Sequence, residues 1–206
     1  MINVRSDSDD KTGVVTLMWE TSPESFQDEF EVSYHEVETF VGGVGDSNTL
    51  TTNKTSIELD TLLPGRNYSI IVRASSTKKM SNETGLYIVT RPSAPIIKDL
   101  KPITDGLNIT WKSDVNSRQD MYEVYYVRND TLEKHNKSTY ESYIILNNLY
   151  PGAGYIVKVF AVSHNVRSEP HEYFQPVCKY LISFFKSTCK LCMYMQVYEF
   201  VLMNFL

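Results

Sequence analysis

The stretch Leu62-Leu63-Pro64-Gly65-Arg66-Asn67-Tyr68 occurs a second time as Leu149-Tyr150-Pro151-Gly152-Ala153-Gly154-Tyr155, 87 residues further on, with Leu, Pro, Gly and Tyr in register. Upstream of each copy, Leu17-Met18-Trp19 is matched by Ile109-Thr110-Trp111, and Phe30-Glu31-Val32-Ser33-Tyr34 by Tyr122-Glu123-Val124-Tyr125-Tyr126, both at a spacing of 92. Self-similarity on this scale means two homologous units, each burying its own core, and 206 residues suit two domains of the commonest size. The five-residue difference between the two spacings falls between the third strand and the Pro-Gly turn, where loops absorb changes of length.

Within each unit the apolar residues alternate, the period of a strand with one buried face. Val15, Leu17 and Trp19 share a face, as do Phe30, Val32 and Tyr34, then Tyr68, Ile70, Val72 and Ala74. The second unit repeats this with Leu107, Ile109 and Trp111, then Tyr122, Val124 and Tyr126, then Tyr155, Val157, Val159 and Ala161. No stretch shows a helical period, and turn formers at Gly42 to Asn48 and at Thr104-Asp105-Gly106 punctuate the strands. The pattern predicts an all-β fold, with domains at residues 1–91 and 92–177. They are joined at Arg91-Pro92-Ser93-Ala94-Pro95, a linker too short to let them move far apart. Residues 178–206 are expected to form an irregular apolar tail outside the fold.

All three cysteines, Cys178, Cys189 and Cys192, lie beyond residue 177, so both units must hold together without a disulfide. That excludes the Cys...Trp...Cys pattern of an immunoglobulin domain, because Trp19 and Trp111 have no cysteines around them. A net charge of −5 and a pI near 5.4 give no electrostatic reason to bind nucleic acid or an acidic membrane.

About ninety residues per repeat, a Trp on an early strand, a Leu-x-Pro-Gly-x-x-Tyr corner and no cysteine together resemble the fibronectin type III module, an immunoglobulin-like β-sandwich. The resemblance implies that the corner residues Tyr68 and Tyr155 start the sixth strand of each unit, with the hydroxyl tied back to nearby backbone. It also implies that Trp19 and Trp111 fill the space between the two sheets. These four are therefore read as structural core and not as a ligand-binding box. Residues 61–69, 93–100, 106–117 and 152–171 further resemble ectodomain repeats of insect receptor-type tyrosine-protein phosphatases, over a match from about Val4 to Val177. Members of that family carry a row of such repeats outside the cell, one membrane span and an intracellular phosphatase domain.

The resemblance thus implies an extracellular binding and spacing segment of a cell-surface receptor, whose partners are an extracellular protein ligand or neighbouring repeats of the same receptor. The alternatives are a soluble decoy or adhesion protein of the same modules, or a fragment of a longer chain whose missing part is the phosphatase. The phosphatase signature itself, His-Cys followed by a Gly-rich phosphate loop ending in Arg, is not in this sequence. No catalysis, cofactor or metal is expected of the segment.

Six Asn-x-Ser/Thr sequons, at Asn53, Asn67, Asn82, Asn108, Asn129 and Asn136, suggest a protein shaped in the secretory pathway. The N-terminal Met1-Ile2-Asn3-Val4-Arg5-Ser6-Asp7 has no signal-peptide pattern, so the chain is expected to be an internal piece of a longer secreted or membrane protein. Asn108 and Thr110 alternate with the inward Leu107, Ile109 and Trp111, which puts this acceptor on an outer face. At least one sequon is expected to stay unmodified. Cys189-Lys190-Leu191-Cys192 has redox or zinc spacing, yet Cys178, His164 and His171 offer no second close pair of ligands. His35, His135, His164 and His171 are scattered, with no recurring carboxylate or serine partner. No Arg-Gly-Asp occurs, and the polar turns at Thr77 to Thr84 and His164 to Glu169 are the candidate binding loops.

From Leu191 to Leu206, 13 of 16 residues are apolar or aromatic, but Lys186, Lys190 and Glu199 interrupt any span long enough to cross a membrane. The tail is read as an aberrant end such as translation into an intron, with a membrane-associating segment or an added strand as alternatives. Apolar surface gains about 25 cal/mol per Å² on leaving water, so such a tail would seek detergent, membrane or another chain. The chain cut after Val177 is expected to be monomeric, more soluble than the full chain and equal to it in unfolding midpoint. A lower midpoint would mean that the tail packs into the second domain.

Overall fold

The computed structural model describes residues 3–8, 14–21, 26–37, 47–77 and 79–177, and every regular element among them is a β-strand. The first unit contains β1 (Asn3–Ser8), β2 (Val15–Glu20), β3 (Glu29–Glu36), β4 (Asn48–Thr52), β5 (Ser56–Leu59), β6 (Asn67–Ser76), β7 (Lys79–Met80) and β8 (Thr84–Val89). They make two antiparallel sheets, β1-β2-β5 and β4-β3-β6, with β7 and β8 both pairing along the other side of β6. Alternation puts Phe30, Val32 and Tyr34 of β3 and Tyr68, Ile70 and Val72 of β6 on the buried face. The register sets Val32 beside Val72 and Tyr34 beside Ile70, so the inward side chains line up in rows across the sheet. The other sheet supplies Val15, Leu17, Trp19 and Leu59 to the same core. Trp19, 4% exposed, meets the ring of Phe30 at 5.2 Å and 59°, the tilted geometry that aromatic quadrupoles favour, and this contact joins one sheet to the other.

The second unit repeats the plan with β9 (Ile96–Ile103), β10 (Gly106–Lys112), β11 (Met121–Arg128), β12 (Lys134–Thr139), β13 (Tyr143–Asn147), β14 (Gly154–Ser163), β15 (Val166–Arg167) and β16 (His171–Pro176). Its sheets are β9-β10-β13 and β12-β11-β14, with β15 and β16 along the other side of β14. Leu107, Ile109, Val124, Leu146, Val157 and Val159 are fully buried, and Trp111 is 3% exposed. A bulge between Thr110 and Trp111 shifts the register against β9, so that Trp111 lies opposite Ile97.

Both units close in the same way. Thr90 N–H donates to the Arg66 carbonyl at 2.9 Å, and Val177 N–H donates to the Ala153 carbonyl at 2.8 Å. These bonds join equivalent residues of the repeat and bring the end of each unit back onto its Pro-Gly corner. The tail at 178–206, with Cys178, Cys189 and Cys192, lies outside the described residues, as do residues 42–46 of the Gly-rich turn.

Replacing Trp111 with Ala removes a buried indole and leaves a cavity, which should cost about 3–5 kcal/mol. Denaturant unfolding of the full chain checks this. A Trp111→Ala protein nearly as stable as its parent would mean that Trp111 is not the centre of the second core.

Candidate functional site

The two Pro-Gly corners decide which conspicuous residues are free to act on anything. Gly65 and Gly152 have φ of +72° and +85°, following Pro64 and Pro151, an order that suits a turn with its second central residue in the left-handed region. The reversed chain brings each corner tyrosine back under the turn. Leu63 N–H donates to the Tyr68 hydroxyl at 2.9 Å, and Tyr150 N–H donates to the Tyr155 hydroxyl at 3.1 Å. Both tyrosines are buried, so their rings and hydroxyls are taken up by the fold. Burial pushes the Tyr68 phenol above its usual range, and the nearby Glu36 carboxylate adds to the rise while the backbone bond from Leu63 opposes it. Glu36 in turn takes the Arg66 guanidinium through both oxygens, at 3.0 and 2.7 Å.

The candidate loops are tight hairpins. His164 and Asn165 connect β14 to β15 with φ of 48° and 65°, as a two-residue turn of the primed type requires, and Ser163 pairs with Val166 across it. Asp120 Oδ2 accepts from His164 N–H at 2.7 Å. The equivalent loop of the first unit turns at Thr77, whose N–H donates to Asp28 Oδ2 at 3.1 Å. Beyond each turn a serine hydroxyl accepts from the strand: Ala74 N–H to Ser81 and Ala161 N–H to Ser168, both at 2.9 Å. Binding residues mounted here would sit on a preorganised backbone.

No catalytic constellation forms among the described residues. Ser163 Oγ lies 3.0 Å from His164 Nδ1, but the serine is fully buried and gives its hydrogen to a main-chain carbonyl at 2.7 Å. Asp120 holds the backbone of His164 and not its ring, so the three do not form a nucleophile, base and orienting acid in series. His171 Nδ1 accepts from Ile97 N–H at 2.8 Å, and His135 stacks on Tyr126 at 5.1 Å with Glu133 at 3.1 Å. His35 lies on β3 opposite Ser69. Among the described residues no group of three or more His, Cys, Asp or Glu is placed to hold a metal ion, and no helix is long and apolar enough to cross a membrane.

The sequons fall into two sets. Asn53, Asn82 and Asn129 are exposed in turns or loops, and Asn136 is exposed on β12, an outermost strand of its sheet. Asn67 opens β6 and Asn108 lies inside β10, both partly buried, each with an Oδ1 shut off from solvent and without a hydrogen-bond partner. Sequence reasoning missed the exposed tyrosines beside this second set, Tyr87 on β8 and Tyr143 on β13. They lie in the apolar runs Tyr87-Ile88-Val89 and Tyr143-Ile144-Ile145-Leu146, where alternation gives no phase.

A model of the fibronectin type III domain matches the sequence twice, at residues 3–86 and 93–177. Among curated proteins none matches the chain. Similar solved structures include a segment of two fibronectin type III domains from chicken tenascin, 23% identical with a TM-score of 0.64, covering 85% of this chain and 98% of that one. The FN1–FN3 domains of chicken CNTN1 are 16% identical with a TM-score of 0.39, covering 86% and 65%. The chicken interferon gamma receptor alpha chain is 13% identical with a TM-score of 0.46, covering 85% and 97%. At these identities the tenascin likeness speaks for the fold alone.

The raised Tyr68 phenol sets a direction for alkaline pH. In the unfolded chain a tyrosine ionises near pH 10, while the folded one keeps its proton to higher pH. The unfolded state therefore sheds protons first, and the stability that is whole below about pH 10 falls as pH climbs through the folded value. Tyr68→Phe should make this fall shallower. At neutral pH it should cost about 1–3 kcal/mol by leaving the Leu63 N–H unpaired. Denaturant midpoints of both proteins from neutral to alkaline pH check it, and parallel curves would remove Tyr68 as the titrating group.

Proposed function

Because this chain belongs to the fibronectin type III family, through one domain at residues 3–86 and another at 93–177, we propose that it is a binding and spacing segment on the extracellular side of a cell-surface receptor. Domains of this family are non-catalytic binding modules typical of receptor and adhesion ectodomains. The observation that carries the reading is the pairing of two disulfide-free sandwiches with sequons on their outside: Asn53, Asn82, Asn129 and Asn136 are all exposed. A glycan at any of these four displaces no core residue.

The partner in this reading is an extracellular protein ligand or a neighbouring repeat, met on the hairpins that present residues 77–84 and 164–169. The resemblance of residues 61–69, 93–100, 106–117 and 152–171 to ectodomain repeats of insect receptor-type tyrosine-protein phosphatases favours a receptor of that kind as the parent. The phosphatase activity would then reside in a part of the parent outside this chain.

Two measurements test the proposal. Antibody labelling of intact cells should detect the protein at the surface, and amide-cleaving glycosidase should increase its gel mobility. Labelling only after permeabilisation, with no mobility change, would overturn the extracellular reading. The purified chain should hydrolyse no phosphotyrosine substrate above a blank. Turnover that disappears when Cys178, Cys189 and Cys192 are changed to Ser would overturn the non-catalytic one.

A further inference from the structure

The two sequons whose asparagine is partly buried share an arrangement. Asn108 sits on β10, the middle strand of β9-β10-β13, opposite Ile145 of β13. The hydroxyl residue of its sequon, Thr110, lies directly opposite Tyr143, which is 50% exposed. In the first unit Asn67 sits on β6 opposite Val89 of β8, and the hydroxyl residue of its sequon, Ser69, lies directly opposite Tyr87, which is 73% exposed. In both units the tyrosine is therefore the cross-strand diagonal neighbour of the asparagine, displaced in the same sense along its strand. Such neighbours stand within reach of an aromatic side chain.

The same two asparagines are the ones whose Oδ1 is closed off from solvent with no hydrogen-bond partner. A carbonyl in that state carries a desolvation cost that nothing in the bare protein offsets. A flat, half-exposed aromatic ring beside it is apolar surface on a face that otherwise meets water. Ile145, beside Tyr143, is also exposed. A sugar on the amide nitrogen answers the second condition. Its ring carries polar donors around the rim, and one face of axial C–H groups carries slight positive charge, which packs on the negative face of an aromatic ring.

We propose that Asn67 and Asn108 carry N-linked glycans whose first N-acetylglucosamine is seated on Tyr87 and Tyr143 respectively, so that these two glycans are built into the sheet faces. Attachment is a group transfer from a lipid-linked oligosaccharide diphosphate. The asparagine Nδ2 forms a bond to the anomeric carbon of the sugar, the bond from that carbon to the diphosphate oxygen breaks, the amide gives up one proton, and the lipid diphosphate leaves. The seated sugar covers the exposed ring. β13 is an outermost strand of its sheet, so covering Tyr143 and Ile145 also blunts an edge open to pairing with another chain. The inference rests on the extracellular reading above, because only the secretory pathway supplies the donor.

The test uses the full chain secreted from animal cells behind an added leader, so that glycosylation does not depend on where the native protein resides. Glycans are trimmed enzymatically to the single first sugar, site occupancy is read by mass spectrometry, and stability by thermal unfolding. Asn108→Gln, Thr110→Val and Tyr143→Ser should each lower the midpoint of the glycosylated protein by about 4 °C or more. Asn108→Gln combined with Tyr143→Ser should lower it no further than the larger single change, because both remove one contact. Asn67→Gln and Tyr87→Ser should behave alike in the first unit, while Asn82→Gln should change nothing. The same variants made in bacteria, without glycans, should show no coupling between asparagine and tyrosine. Bare Asn at position 67 or 108 in the secreted protein, or additive effects within a pair, would overturn the proposal. Coupling in the leader-directed protein together with an unglycosylated native protein would uphold the seat and refute the extracellular reading.

Discussion

Each unit rests on the apolar contact between its two sheets, because the first 177 residues hold no cysteine that could bridge them. In the first unit that contact centres on Trp19 against Phe30, with Leu17, Val32, Leu59, Ile70 and Val72 around it. The rest of the architecture follows from keeping these side chains out of water together. Strands must alternate so that one face is apolar, registers must line the inward residues up in rows, and the connections must lie at the ends of the sandwich. Domains of this size have small stability margins, so losing one large buried ring is a serious change.

The Pro-Gly corner is the second device, and it works on the backbone. Pro64 and Pro151 set one dihedral of the turn, and Gly65 and Gly152 take the positive φ that other residues resist. The corner tyrosine then satisfies an amide that the turn leaves without a strand partner. The Thr90 and Val177 amides close on the same corners. Local chain reversal, buried hydroxyl and final strand thus form one unit of structure that occurs twice.

These features bear on function by exclusion and by placement. The large aromatics most conspicuous in the sequence are committed to the core, Asp120 is committed to holding the hairpin at His164, and the Ser163 hydroxyl is committed to a main-chain carbonyl. What remains for recognition is the outside: the two tight hairpins, the exposed sequons, and the outward faces of β6 with β8 and of β10 with β13. A rigid scaffold with its free chemistry on loops and sheet faces is suited to binding and spacing.

By itself, the sequence determined the repeat, the all-β class and the tryptophan and tyrosine positions that the structure buries. All of these follow from period-two alternation and from turn chemistry confined to a few neighbouring residues, such as Leu62 to Tyr68. It also located the six sequon asparagines. It could not tell a solvated asparagine from Asn67 or Asn108, nor find Tyr87 and Tyr143 beside them, because those are relations between strands distant in the chain. Runs such as Tyr143-Ile144-Ile145-Leu146 carry apolar side chains on both faces, and only pairing with β10 decides which of them turn outward. Register is the physical reason. A shift of one residue would exchange the two faces of the strand, and that choice is made by the sheet to which the strand is bonded.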